Sequence, residues 1–395
     1  MIANLSLIAA VLALAGTSSA ATTTTTAATT TATPAPLLTL KPFNGTFAGD
    51  YPTTFEVAPT NTTLAKQWIA QYNTANITSL PVVPFTSGGD PKDPNSISAD
   101  ACDWTITNCI NKDITVCPIG VWGLTYDDGP TEFSTQLYDY LDTTEQKATL
   151  FYIGSNVITN WEAARRACGA GHQIASHTWS HQPSTSLTNE QFIAEIKYTE
   201  MAIKEVCGFT PKYFRPPYGD IDNRIRSLLW AMGYTSVIWD YDTNDWQMAP
   251  GGTRTLAQVN ADFATWEAAA SNDTTGHITL EHELYQNTVT AAIDNLPKLA
   301  ATWKLMPVSA CMNDSHPYQE TEYQLATMNG VVTGMSSATT STNTTTSSNT
   351  TSTAAAGASG ASSTGGKTSG AVAVTGEMKV FALVAAAAAA AAQMF

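Results

Sequence analysis

Two neighbouring carboxylates, Asp127 and Asp128, stand in Thr125-Tyr126-Asp127-Asp128-Gly129-Pro130, where an apolar run ends and a Gly-Pro turn stops it from continuing. Acids this close need a metal or an arginine to offset their repulsion. Neighbours on a strand point to opposite faces, so both can serve one site only if the chain bends there; a turn or a helix cap is the plainer use of such a pair. His177 and His181, in Ser176-His177-Thr178-Trp179-Ser180-His181, are spaced i, i+4, which brings both imidazoles onto one face if the segment is helical. With a carboxylate they would form the His₂-carboxylate set of a catalytic Zn²⁺, which leaves a position open for water. Arg215, in Arg215-Pro216-Pro217-Tyr218-Gly219, could hold a carboxylate by two parallel hydrogen bonds and keep it ionised, or be a surface arginine before a turn. Asp242-Thr243-Asn244-Asp245-Trp246 sets acids beside an aromatic plate that could stack on a sugar ring or pack on a rim. His282 closes Ile278-Thr279-Leu280-Glu281-His282. Its titration near neutrality suits proton delivery to a leaving amine, although a lone histidine here is more often structural.

Short apolar runs alternate with helical patterns between Cys117 and Cys311. The runs are Val121–Tyr126, Thr149–Ile153, Gln173–Ala175, Tyr213–Phe214, Ser236–Trp239, Ile278–Leu280 and Leu305–Val308. Helices are predicted over Glu132–Glu145, Asn160–Cys168, Asn189–Val206, Asp222–Met232, Leu256–Ala270 and Thr288–Thr302. In the third, Phe192, Ile196, Met201 and Ile203 to Val206 fall on one face while Glu190, Glu195, Lys197 and Glu200 are expected to stay wet. Strand followed by helix, repeated, means a parallel sheet with helices outside it. Polar residues follow several different strands, which favours an α/β fold closed as a (β/α) barrel over an open sheet.

Together these five segments resemble, in order, the motifs of the carbohydrate esterase family 4 polysaccharide deacetylases, the NodB-like domain, over roughly Cys117 to Met306. Within that family the chain is most similar to fungal GPI-anchored chitin deacetylases. The resemblance implies a deformed (β/α) barrel and one divalent metal, Zn²⁺ or Co²⁺, bound by Asp128, His177 and His181. It makes Asp127 the general base, held ionised by Arg215, and His282 the acid that protonates the departing amine. Asp242 is expected to orient His282, with Asp245 the other possibility. The Tyr218 backbone N–H would face the oxyanion, and Tyr218, Trp246 and Leu280 would line the sugar and acetyl pocket. Glu281, beside His282, is expected to add negative charge and favour a protonated imidazole.

Both ends of the chain read as addresses. Met1–Ala20 is a signal peptide, with an apolar stretch around Leu7–Ala15 and small residues Ser18 and Ala20 at a peptidase spacing. Val380–Phe395 is a terminal apolar run behind small residues Ser369, Gly370 and Ala371, the layout of a GPI-attachment signal with Ser369 as the attachment residue; an Ala-rich tail or a short tail anchor is the alternative. The expected organisation is a signal peptide over 1–20, an irregular Thr/Pro/Asn-rich glycosylated extension over 21–116, the catalytic domain over 117–311, a disordered Ser/Thr-rich stalk over 312–369 and a GPI propeptide over 370–395. An exported chain should carry disulfides and glycans. Its six cysteines allow fifteen pairings. Cys117 precedes the first core strand and Cys311 follows the last, so a bond between them would staple the domain, leaving Cys102 with Cys109 and Cys168 with Cys207 as the simplest remainder. N-glycosylation sequons occur at Asn44, Asn61, Asn76, Asn272, Asn313, Asn343 and Asn349.

Of the 395 residues, 18 are Lys or Arg and 33 are Asp or Glu, a net charge of −15 that excludes a nucleic-acid-binding surface. No obligate protein partner is evident. The expected activity is hydrolysis of N-acetyl groups on N-acetylglucosamine residues of chitin, giving chitosan and acetate at the outer face of the plasma membrane or the wall, with chitin polymer or oligomers as partner and the membrane reached through the GPI anchor. An O-acetyl xylan esterase of the same mechanism is the near alternative. An inactive chitin-binding wall protein is the alternative of another class.

Overall fold

Trp122, Leu124, Leu150, Phe151, Ile174 and Phe214 are completely buried, as expected of short strands covered on both faces. The computed structural model describes residues 40–72, 76–86, 91–94 and 97–330. The leader, residues 331–369 of the expected 312–369 stalk, including Asn343, Asn349 and Ser369, and the terminal apolar run lie outside them. Residues 312–330 are not the disordered stalk expected there, because Tyr318, Tyr323 and Leu325 are buried in the core, with the Tyr318 ring stacked on Phe209 at 3.8 Å.

In chain order the elements are α1 (Thr63–Gln71), α2 (Trp104–Thr107), β1 (Val121–Gly123), β2 (Thr125–Gly129), α3 (Ser134–Thr143), β3 (Thr149–Tyr152), α4 (Gly154–Thr159), α5 (Trp161–Ala170), β4 (Gln173–Ser176), α6 (Asn189–Cys207), β5 (Tyr213–Phe214), α7 (Asn223–Ala231), β6 (Thr235–Ser236), β7 (Tyr241–Asp242), α8 (Leu256–Ala269), β8 (His277–Leu280), α9 (Gln286–Thr302), β9 (Lys304–Met306) and α10 (Val308–Cys311). The strands make two sheets, β7-β8-β1-β9 and β2-β3-β4-β5-β6. All pairings are parallel.

The expected single run Val121–Tyr126 is two strands. Leu124, between them, hands the chain from one sheet to the other: its N–H bonds Met306 O and its C=O accepts from Thr149 N–H, each at 2.9 Å. Further along, a parallel bridge joins Asp127 to His282, so β2 lies beside the end of β8. Among the described residues no bridge closes β6 onto β7, and Ile114 sits instead beside Val237. The result is a deformed, incompletely closed (β/α) barrel. β6 stops at Ser236, short of the expected Trp239, and the two-residue strand β7 has no signal in the apolar pattern.

Helix ends follow local chemistry. Thr188 and Gln191 form a capping box at the start of α6, and Gly208, at φ 93°, closes it in the left-handed conformation that only glycine adopts freely. Glu195 and Glu200 on α6, expected to be wet, are 0% and 5% exposed. The physical reason is a second layer: α1 and the segment before it pack on the outer face of α6, with the Trp68 ring edge-on to Tyr198 at 5.0 Å. Periodicity identifies the apolar face of a helix but is blind to what covers the other.

The structure forms disulfides Cys102–Cys109, Cys117–Cys311 and Cys168–Cys207. The first closes the loop that carries α2, and a buried arginine ties it down. Arg226 on α7 donates to Cys102 O and Cys109 O and pairs with Asp113 at 2.7 Å, both side chains fully buried. Removing one partner of such a pair strands a buried charge, which costs about 3–5 kcal/mol. Arg226→Met should therefore lower unfolding stability by roughly that amount, read by chemical denaturation, while Arg166→Met, at a half-exposed pair with Asp139 and Asp142, should cost less than about 1 kcal/mol.

Candidate active site

Asp127 and Asp128 both reach one site because β2 bends between them. The β2–β3 register shifts between Asp127 and Gly129, and Asp128 takes the left-handed conformation at φ 69°. This is the bulge logic by which one strand aims neighbouring side chains to the same side. The motif lies inside β2 itself, not after it.

The two carboxylates then separate by partner. Asp127, 2% exposed, accepts from Arg215 Nη1 at 2.9 Å. Arg215 is fully buried, also donates to Thr125 Oγ1 at 2.8 Å, and lies over the Phe151 ring at 4.3 Å. Burial pulls its pKa down, and the Asp127 carboxylate pulls it back up. Asp128 instead faces the imidazoles: its Oδ1 is 3.4 Å from His177 Nε2 and 3.2 Å from His181 Nε2. Burial opposes its charge, yet the nearby imidazoles of His181 and His177, with His282 beyond them, hold its pKa well below the usual carboxylate range.

His177 and His181 do not meet through a helix. Their segment is a loop with Thr178 at φ 66° and His181 at φ 60°, and the rings lie 5.0 Å apart. The i, i+4 spacing is right for a different reason: two left-handed residues turn the chain back on itself. His177 Nδ1 is 2.7 Å from Arg215 O. A carbonyl only accepts, so Nδ1 carries the proton and Nε2 presents a lone pair. A bond of this kind is what fixes the tautomer of a metal-ligating histidine.

The ligand atoms of Asp128, His177 and His181 all lie within 4.8 Å of one another. Asp128 Oδ1 is buried and satisfies no hydrogen-bond geometry. An acceptor lone pair on His177 Nε2 facing an orphaned carboxylate oxygen is repulsive unless a cation lies between them. The residues therefore fit a divalent metal, to which they offer two nitrogens and one oxygen.

His282, 8% exposed, stands across the site. Its Nδ1 lies 2.6 Å from Asp245 Oδ1, and its backbone N–H donates to Asp245 Oδ2 at 2.9 Å. Asp242, expected in that role, accepts instead from Asn244 N–H at 2.7 Å. The correction has a local cause: β7 ends at Asp242, Asn244 turns the chain in the left-handed conformation at φ 50°, and the 3-10 turn that starts at Asp245 brings that second acid back over the end of β8. Burial works against a charged His282, but Asp245, then Asp128 and Asp127, raise its pKa to about 10. Burial pushes the Glu281 carboxyl up to about 8, which works against the negative charge expected there, while His282 and Arg215 pull it the other way.

The remaining expected residues fall as follows. Tyr218, 40% exposed and at φ 59°, has its ring 4.8 Å from His181. Leu280 is buried at the end of β8, and Trp246 is half-buried beside Asp245. Asn44, Asn61, Asn76, Asn272 and Asn313 are exposed. Sequence reasoning passed over Thr125, which shares Arg215, and Asn156, whose Nδ2 donates to Asp128 O at 2.7 Å. Thr125 stood inside the quoted motif; Asn156 had no signal.

The division between Asp242 and Asp245 is measurable. In metal-free protein, NMR titration should show His282 falling from about 10 toward the ordinary 6.5 in Asp245→Asn, while Asp242→Asn should shift it far less. Equal shifts would overturn the assignment.

The Polysaccharide deacetylase family matches residues 117–237. A chitin deacetylase of Amylomyces rouxii is 41% identical over 310 residues, covering 74% of this chain and 72% of that protein. Chitin deacetylase 1 of Cryptococcus neoformans is 40% identical over 323 residues, 77% of this chain and 67% of that protein. The solved structure of the chitin deacetylase of Colletotrichum lindemuthianum is 28% identical over a match that covers 52% of this chain and 95% of that one, with a TM-score of 0.47. Sequence identity over this much of both chains settles the kinship: the protein belongs to the polysaccharide deacetylase family, alongside its chitin deacetylases.

Proposed function

We propose that the protein removes N-acetyl groups from N-acetylglucosamine residues of chitin, giving chitosan and acetate. The observation that carries this is one site that gathers a carboxylate held by Arg215, a histidine held by Asp245 and the cluster of Asp128, His177 and His181. The relatives named above are chitin deacetylases, which supports chitin as the substrate.

In this reading Asp128, His177 and His181 would hold Zn²⁺ or Co²⁺, which would supply Lewis acidity for the acetyl carbonyl and for water. Asp127 accepts the proton of the attacking water. Arg215 keeps Asp127 ionised and aimed, at 2.9 Å from its Oδ1. Water supplies the new oxygen of acetate, the C–N bond breaks, and the glucosamine nitrogen takes the proton that His282 holds on Nε2. His282 is in the donating form at neutral pH because Asp245 holds its Nδ1–H. The Tyr218 N–H donates to the developing oxyanion, and Tyr218, Trp246 and Leu280 wall the sugar and acetyl group. Base and acid sit on adjacent backbones, bridged at Asp127 and His282, which fixes their separation without help from loops.

We further propose residues 117–311 as the catalytic domain, export by the leader, N-glycans on the sequon asparagines, and GPI anchoring at Ser369, which would hold the enzyme against nascent wall polymer. No described helix is long and apolar enough to cross a membrane.

Acetate release tests this. The enzyme should act on chitin oligomers, lose activity on chelation and regain it with Zn²⁺ or Co²⁺; His282→Ala should lower kcat by about 10²–10⁴-fold with little change in KM. Release from acetylated xylan but not from chitin would move the activity to O-acetyl esters, and release from neither with metal bound would end the deacetylase reading.

A further inference from the structure

The loop that carries both histidines is held from behind by a residue far outside the five motifs. Glu195, on α6 and fully buried, accepts four hydrogen bonds. Its Oε2 takes the backbone N–H groups of Trp179 at 2.9 Å and Ser180 at 2.7 Å. Its Oε1 takes Ser180 Oγ at 2.9 Å and the backbone N–H of Ala58 at 2.8 Å. The left-handed turns at Thr178 and His181 leave two consecutive N–H groups pointing toward α6 while the imidazoles point into the site. A buried carboxylate is the one side chain that can accept both N–H groups at a single oxygen and still take two more donors at the other.

Ala58 belongs to a strap of chain, residues 51–58, that lies over the same loop. The Tyr51 ring stacks on Trp179 at 5.7 Å and 13°. Thr53 O accepts from the Trp179 indole N–H at 3.2 Å. Phe55 N–H donates to Ser155 Oγ at 2.9 Å, which in turn donates to Trp179 O at 2.6 Å. One turn of the histidine loop is thus clamped between α6, α4 and a strap that lies outside the family match of 117–237.

We propose that Glu195 is a positioning residue for the metal: its carboxylate sets the loop that places His181 relative to His177 and Asp128, and it makes the strap over residues 51–58 part of the metal site's support. This rests on the reading of Asp128, His177 and His181 as the metal ligands. Glutamine at 195 would keep one oxygen for the paired N–H groups but turn an amide toward Ala58, so it loosens the strap and weakens the loop without emptying the space.

The test uses the full chain stripped of metal, with Zn²⁺ added against a competing chelator. Partners that orient metal ligands typically contribute 10–100-fold to affinity. Glu195→Gln should therefore bind Zn²⁺ about tenfold more weakly and shift the visible spectrum of the Co²⁺ form. Glu320→Gln is the control, since Glu320 also accepts a backbone N–H and a hydroxyl, both from Thr210, but bonds to neither the strap nor the histidine loop. It should bind Zn²⁺ within about twofold of the parent. A Glu195→Gln protein with lowered thermal stability but parental Zn²⁺ affinity and Co²⁺ spectrum would overturn the proposal. Should that variant fail to fold, Ser180→Ala removes one of the four donors and leaves the backbone intact; it should weaken Zn²⁺ binding about threefold, and unchanged binding would overturn the proposal. Failure of the parent chain itself to bind metal would instead sink the reading of the site.

Discussion

Two carboxylates one residue apart must serve a single site, and on a regular strand they cannot. Everything around the site follows from how β2 meets that constraint. The register shift after Asp127 and the left-handed Asp128 turn both side chains inward, and the next residue has to be glycine: a Cβ at Gly129 would lie 1.8 Å from Glu283 Oε1. Once both acids face the same cavity, they are separated by what each touches. The Arg215 guanidinium claims Asp127, and the two imidazoles claim Asp128. For Asp128 the imidazoles outweigh the cost of burying its charge.

The same accounting explains why the other acids nearby are silent. Glu281 and Glu283 are as buried as the aspartates but make no ion pair among the described residues; burial raises each to about 8, and at Glu281 the charges of His282 and Arg215 offset only part of that. Glu281 accepts from Thr279 Oγ1 at 2.8 Å, and Glu283 Oε2 meets Tyr138 OH at 2.5 Å. Neutral carboxyls can fill the barrel beneath the site without altering its charge, so the field at His282 is set by Asp245, Asp128 and Asp127. A histidine held this way keeps its proton until a stronger base presents itself, and a nitrogen gaining negative charge as its C–N bond breaks is such a base.

Much of the site is legible in residue types alone. Asp128, His177 and His181 stand at spacings that suggest a metal, and Arg215 is the only cation in the quoted motifs that could neutralise Asp127. What is not legible is whatever depends on the handedness of single residues or on a second layer. Asp242 and Asp245 are equivalent on paper, and the left-handed Asn244 decides between them. The two histidines look helical by spacing and meet through a loop. Glu195 reads as a solvated helix residue because its partners lie 137 and 15–16 residues away and three of the four are backbone N–H groups, which carry no side-chain signature; the fourth is the Ser180 hydroxyl. The break at Leu124, which splits one apolar run into two strands, is set by pairing to β9 and β3, and pairing across the barrel is not written in local pattern.

The division of labour between Asp127 and Asp128 is the centre of this account, and metal titration of the two single variants tests it most directly. Stripped Asp127→Asn should bind one Zn²⁺ per chain with near-parental affinity yet release no acetate when loaded, whereas Asp128→Asn should lose more than about 100-fold in Zn²⁺ affinity. Equal loss of metal in both variants would contradict the account, because the two carboxylates would then be joint ligands and not a base beside a ligand.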